Sequence, residues 1–144
     1  MSWNININRT WVEFTEEMIP EKAVGFVYRM TAVIDGKFVM YIGKKNFYSD
    51  VKTKLGKKEM PTDKRLKQYK RVRKFTYKNY YSSNEVLKEH YKNGGEIHRT
   101  ILEICYSKIE LTYKEVKHQF INEVLEDESY LNNNILGKFY KTTS

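Results

Sequence analysis

Two residues, Asp35-Gly36, constrain this chain more than any others, because they stand between two runs that both read as strands. An Asp-Gly pair favours a type I′ turn, in which both central residues take positive φ. Ala23 to Val33 (AVGFVYRMTAV) lies before it and Lys37 to Gly43 (KFVMYIG) after it. Both runs are rich in β-branched and aromatic residues. A tight turn fixes the register. Ile34 pairs with Lys37, Met30 with Tyr41, and Tyr28 with Gly43. Tyr28 and Tyr41 then share one face of the hairpin as diagonal neighbours, roughly 7–8 Å apart. A loop one residue longer or shorter would send them to opposite faces. Gly25 and Gly43 stand near the open end, and a glycine inside a strand often marks close approach of a ligand or another backbone. Two core tyrosines with satisfied hydroxyls would give the same pattern.

The rest of the chain builds around that hairpin. Residues 1–22 read as an irregular lead-in, with Trp3, Trp11, Phe14 and Ile19 as anchors and Pro20 at its end. Residues 44–61 read as a basic loop. Pro61 and Thr62 or Asp63 open a helix to about Lys74, with Leu66, Tyr69 and Val72 on one side. A second helix covers 83–93, where Ser82 and Glu85 have capping-box spacing and Gly94-Gly95 supplies the stop. Residues 96–105 (EIHRTILEIC) read as a third, central strand. Thr112 to about Leu125 reads as the last helix, with Val116, Phe120 and Val124 inward. The tail, 129–144, is short and polar. The order ββααβα predicts an α+β fold: a small three-stranded antiparallel sheet flanked by helices. One domain over 23–144 carries a basic insertion at 44–78, and 1–22 packs on it.

Charge narrows the function. Twenty-six basic against 18 acidic residues give +8 over 144 residues. From Lys44 to Lys78 stand 14 Lys or Arg against three acids, Asp50, Glu59 and Asp63, so this stretch alone carries +11. Such a block reads as a phosphate-tracking surface, or as a solvated loop. Tyr48, Tyr69, Phe75, Tyr77, Tyr80 and Tyr81 interleave with the charges, as bases to be stacked would require, or as the buried stripe of a basic helix. One cysteine, Cys105, excludes a disulfide framework and any cysteine-cluster zinc site. No apolar run reaches the 18 residues of a membrane span, and the N-terminus lacks the apolar core of a signal peptide. The expected setting is cytoplasmic. His90, His98 and His118 show no ligand spacing, and no phosphate-binding glycine loop is present.

Gly25-Phe26-Val27-Tyr28 followed by Tyr41-Ile42-Gly43 resembles the paired motif of the GIY-YIG nuclease superfamily. The first half has one extra residue between Gly25 and Tyr28, and Phe-Val replaces Ile. The stretch from about 23 to 140 is similar to small tailed-phage (bacteriophage) GIY-YIG-like endonucleases. It shares Ile42 to Lys45, Tyr80 to Ser83, a helix ending in Gly, a strand like Ile97 to Cys105, a Glu-bearing helix and Tyr130-Leu131-Asn132. The resemblance implies metal-dependent hydrolysis of double-stranded DNA. Glu115 would hold one Mg2+ or Mn2+ ion, and Asn132 would orient it. Tyr28 and Tyr41 would position or activate water. Lys44, Lys45 and Arg71 would hold phosphate, Arg71 being chosen over Arg65 and Arg73 only by its place beside the predicted stripe. Lys44, Lys45, Lys64, Arg65, Lys70, Arg71, Arg73, Lys74, Tyr80 and Tyr81 would contact nucleic acid.

Blander roles compete for the same residues. Thr112 and Glu115 have capping-box spacing, Asn132 suits a turn, and Lys44 and Lys45 suit a solvated loop. A catalytically degenerate nucleic-acid-binding regulator on the same scaffold is the alternative function, and a protein-interaction or virion module a third. The chain has little room for a separate recognition domain. Sequence specificity would then come from a homodimer or a protein partner.

Overall fold

Residues 3–14 form a hairpin rather than an irregular lead-in: β1 (Trp3–Ile7) and β2 (Thr10–Phe14) pair antiparallel. The turn between them is Asn8-Arg9, both at positive φ. Trp3 and Phe14 are buried, as anchors should be, whereas Trp11 is 60% exposed. The computed structural model describes residues 2–58, 62 and 69–142. After one turn of 3-10 helix (Glu16–Met18) come β3 (Gly25–Ile34) and β4 (Lys37–Asn46). Asp35 and Gly36 both have positive φ, and the register is the one the turn predicts, with Tyr28 opposite Gly43 and Met30 opposite Tyr41.

The chain then leaves the sheet. Tyr48–Lys54 forms β5 and Tyr69–Phe75 forms β6, paired as a separate two-stranded ribbon. Part of the expected 44–61 loop is therefore strand, and the expected helix does not reach Lys74. Tyr69 and Val72 belong to the expected helical stripe, and Phe75 continues its spacing. Each instead finds a partner across the ribbon in Lys54, Val51 and Tyr48. Cross-strand packing overrides local periodicity here. Lys64, Arg65 and Leu66 lie outside the described residues.

Helix α1 (Glu85–Lys92) is capped by Asn84, whose side chain accepts from the Val86 and Leu87 N–H groups at 3.0 and 3.2 Å. The Ser82–Glu85 box does not form. Strand β7 (His98–Cys105) follows, then α2 (Lys108–Ile121) and a small hairpin of β8 (Asn134–Ile135) and β9 (Phe139–Tyr140).

The main sheet has five strands in the order β2-β1-β7-β3-β4, not three. Its β7-β3-β4 part is the predicted antiparallel unit, with the first hairpin strand in the middle. The lead-in hairpin adds the other two through a parallel β1–β7 pairing. Alternation along β3 splits the core between the sheet faces. Phe26, Tyr28 and Met30 join Trp3, Phe47, Tyr77 and Leu87 in one cluster. Val27 joins Ile42, Cys105, Leu111 and Val124 in the other. Helix α2 packs on the second face against β3, β4 and β7.

Of the expected inward row of α2, Val116 and Val124 do pack on the second core cluster, and Phe120 does not. Leu111 and Gln119 are its buried residues, while Phe120 is 47% exposed. Val124 is buried but lies beyond the helix end. The helix starts at Ser107, whose hydroxyl accepts from the Glu110 N–H at 3.0 Å.

Candidate active site

Strand β4 lies at the edge of the sheet, and its free side is dressed by the segment after α2. The Met40 N–H donates to the Ser129 carbonyl at 2.8 Å, and the Leu131 N–H donates to the Met40 carbonyl at 2.7 Å. Two residues on, a side chain takes over. Asn132 Oδ1 accepts from the Ile42 N–H at 3.0 Å, and its Nδ2 donates to the Ile42 carbonyl at 2.8 Å. Gln119 Nε2 donates to the same carbonyl at 3.1 Å. Asn132 is 3% exposed, and its amide stands in for a sixth strand at the centre of Tyr41-Ile42-Gly43.

A polar cleft of about 530 Å³ opens across this edge. Tyr41, Lys44, Ser83, Thr112, Glu115, Gln119 and Asn132 are among its lining residues. Alternation explains how one strand serves both sides. Tyr41 belongs to the face of Tyr28, while Lys44 shares the face of Ile42 and reaches α2, where its ammonium donates to Thr112 Oγ1 at 2.8 Å. Glu115 is the eighth residue of α2, one turn after Leu111 and one before Gln119, the two buried residues of that helix. The helix is capped at Ser107, and Glu110, not Glu115, reaches back to a main-chain N–H, that of Tyr106 at 3.1 Å. The competing capping role for Glu115 therefore does not exist.

The electrostatics fit a site that handles an anion and a cation. Burial raises the Glu115 carboxyl above its usual value, and the Lys44 ammonium offsets part of that. Burial also raises the Tyr41 hydroxyl; a hydrogen bond with Ser83 opposes this, while the Tyr80 phenol and the Glu115 charge add to it. A carboxylate disfavoured by burial gains from a nearby cation. Among the described residues no three His, Cys, Asp or Glu side chains gather. A magnesium-class ion here would rest on Glu115 and otherwise on neutral oxygens and water. That donor set suits a hard cation that keeps several waters.

Tyr28 stands behind the cleft rather than on its wall. It is 1% exposed, with its ring 6.3 Å from that of Tyr41 and its hydroxyl 3.3 Å from the Tyr80 hydroxyl. Burial, reinforced by Tyr80, pushes its ionisation far above the ordinary phenol value; a hydrogen bond with Ser82 pulls the other way. Ser82 and Ser83 thus serve the two phenols in turn, from a backbone held at φ +86 at Ser82. Ser82, expected at the head of α1, instead serves Tyr28, and Asn84 caps the helix. The motif glycines have a physical reason. A Cβ on Gly43 would lie 2.5 Å from the Tyr28 hydroxyl oxygen, and one on Gly25 would lie 2.5 Å from the Lys45 carbonyl oxygen.

The remaining expected residues are spread more widely. Lys45 donates to Thr76 Oγ1 at 3.4 Å, with its ammonium 4.9 Å over the Tyr80 ring. Arg71 is exposed on β6 and is not among the residues lining the cleft. Lys70, Arg73 and Lys74 share that strand. Tyr81 stacks on Tyr91 at 3.8 Å and lies 4.1 Å from the Arg99 guanidinium. Two groups so close to one ring centre must occupy opposite faces, so Tyr81 offers no open platform. His118 pairs with Glu103 at 2.9 Å.

No helix among the described residues is long and apolar enough to cross a membrane. The family described as "Putative endonuclease segE, GIY-YIG domain" matches residues 9–135. Searches of the curated proteins and of the solved structures return no match. The match spans both motif strands, the serine pair, Glu115 and Asn132, the same residues that build the cleft and its support. The chain belongs to the GIY-YIG nuclease family.

Proposed function

We propose that this protein is a metal-dependent endonuclease that hydrolyses phosphodiester bonds of double-stranded DNA in the cleft across β4. The observation that carries the reading is that Tyr41 and Lys44 of β4 and Glu115 of α2, distant in sequence from them, line one polar cleft. Glu115 would hold a Mg2+ or Mn2+ ion. Such an ion, when bound, neutralises charge developing on the phosphoryl oxygens.

The chain's own residues do the rest. Lys44, placed by Thr112, offers its ammonium to a phosphate oxygen. The Tyr41 phenol is protonated near neutral pH, as any phenol is, and burial disfavours its ionisation further. It can orient an attacking water by hydrogen bonding, and it is a poor reservoir for that water's proton. Tyr28 keeps Tyr41 in place from behind. Asn132 and Gln119 hold Ile42, and so the motif strand, at the cleft; they are positioning residues. Lys45, over the Tyr80 ring, is not among the residues lining the cleft, and Arg71 belongs to the ribbon.

One observation favours the non-cleaving alternative, a nucleic-acid-binding regulator: no arginine is among the described residues lining the cleft. Supercoiled plasmid incubated with Mg2+ or Mn2+ separates the two. The nuclease reading expects nicking by the wild-type chain that is lost in Glu115→Ala. Binding without nicking in either metal would leave the regulator.

A further inference from the structure

Among the described residues, the ribbon of β5 and β6 pairs with no other strand. Asp50 opposes Arg73, Lys52 opposes Arg71 and Lys54 opposes Tyr69. With the period of two, these six residues share one face, and all six are exposed. On the other face Ser49, Val51, Thr53 and Val72 are partly shielded, while Lys70 and Lys74 are exposed. The open face thus carries four cations against one acid.

By local rules this ribbon should be poor. An isolated two-stranded hairpin is marginal in water, and like charges directly opposite, such as Lys52 and Arg71, weaken it further. A feature that breaks local rules is where function is expected. An anionic partner laid along the face would offset the opposed like charges.

The ribbon is also built to hold its posture. Its root is Phe47, buried, with its N–H on the Val24 carbonyl at 3.0 Å and its carbonyl accepting from the Thr76 N–H at 3.1 Å. Tyr77, at the other root, is buried and accepts the Trp3 indole N–H at 2.8 Å on its carbonyl. The Arg73 guanidinium lies 4.2 Å over the Tyr48 ring and the Lys52 ammonium 4.4 Å over the Tyr69 ring. These rings are covered by the ribbon's own cations, so they are not platforms for the splayed bases of a single strand. They hold long side chains in order before binding, which lowers the entropic cost of docking.

From these observations we infer that the ribbon docks in the major groove of duplex DNA, with the Lys52, Lys54, Arg71 and Arg73 face toward the phosphates and base edges. A B-form major groove, about 12 Å wide, admits a two-stranded ribbon, whereas the narrow major groove of A-form RNA does not. The ribbon continues from the strand that carries Lys44 and Lys45, with only Phe47 between β4 and β5. It therefore seats the cleft beside the backbone of the groove it occupies. The inference rests on the nuclease reading for its choice of DNA, but docking needs neither the metal nor the chemistry.

The test is equilibrium binding of the full chain to a labelled DNA duplex, in chelator, over a salt series. For Lys54→Gln/Arg71→Gln we expect affinity to fall about tenfold or more. The slope of log affinity against log salt should become shallower by about 2, close to 0.9 for each lost phosphate contact. Lys54→Arg/Arg71→Lys should bind like wild type, which separates lost charge from lost fold. Methyl green, which fills the major groove, should displace the wild-type chain, and netropsin, which fills the minor groove, should not. Duplex RNA should bind at least about tenfold more weakly, because its major groove does not admit the ribbon. Unchanged affinity and slope in the Gln variant, displacement by netropsin instead, or equal binding of duplex RNA would each overturn the proposal. Glu115→Gln should bind normally here, so a failure of the cleft chemistry shows only in nicking and a failure of the ribbon only in binding.

Discussion

A single methyl group is enough to separate the two motif tyrosines. Gly43 lies under Tyr28, whose ring is boxed in by Trp3 at 5.7 Å and Phe26 at 6.4 Å and has no free side to retreat to. Gly43→Ala is therefore an overpacking change, expected to cost about 1–3 kcal/mol. Thermal unfolding should show a melting point several degrees lower; an unchanged one would mean that Tyr28 does not press on the strand. Asn132→Ala strips the side-chain acceptor from the buried Ile42 N–H, while the Ile42 carbonyl keeps Gln119. Leaving that donor unmet should cost about 1–3 kcal/mol in urea unfolding. Cys105 gives a check on the core between β7 and α2. Burial, with the Glu110 and Glu103 charges adding to it, pushes its thiol up to about 11. The folded chain should resist alkylation at pH 8 and react once unfolded. Fast labelling of the native chain would place Cys105 outside the core.

At the scale of elements, α2 decides whether Glu115 is free for chemistry. The sequence holds two candidate boxes, Ser107 to Glu110 and Thr112 to Glu115, and spacing alone does not choose between them. The fold uses the first, so the helix begins a turn earlier and Glu115 moves to its middle. Ser107→Ala should lose about 0.5–2 kcal/mol of stability, the usual worth of an N-cap. Thr112→Ala should leave stability nearly unchanged while releasing Lys44. The reverse ranking in denaturant titrations would restore the other cap. A second contact ties α2 to β7. Burial raises the Glu103 carboxyl, but hydrogen bonds from Lys114 and His118 outweigh it and hold the group below its usual value. A lowered carboxyl contributes stability above its unfolded pKa, about 4.3, and that contribution is lost as pH falls through the folded value. The pair is a third exposed, so Glu103→Gln should cost no more than about 1 kcal/mol near neutral pH. The difference from wild type should vanish in acid.

Across the whole molecule, local features were legible and long-range pairings were not. The β3–β4 register followed from Asp35-Gly36 alone, because a tight turn leaves no freedom. The motif strand, the third strand and the Glu-bearing helix could all be placed. The five-stranded sheet could not, because β1 joins it through β7, which begins at His98, and that parallel contact has no local signature. The Asn8-Arg9 turn also lacks a glycine, although W-N-I-N-I already alternates as a strand should. The ribbon escapes a linear reading because the three-residue spacing of Tyr69, Val72 and Phe75 fits a helix, whereas in a strand Val72 falls on the face opposite the two aromatics. In the site, Glu115, Tyr41 and Lys44 were nameable through the resemblance. Support from Ser82, Ser83 and Gln119 depends on packing that a linear chain does not display. If Tyr41 and Glu115 act as one unit in the proposed chemistry, single-turnover nicking of supercoiled plasmid in Mg2+ by Tyr41→Phe, Glu115→Gln and the double variant will show it. Residues that share one step are far from additive. The double variant should nick no more slowly than the slower single variant. Losses that multiply, or a Glu115→Gln chain that nicks like wild type, would contradict the account.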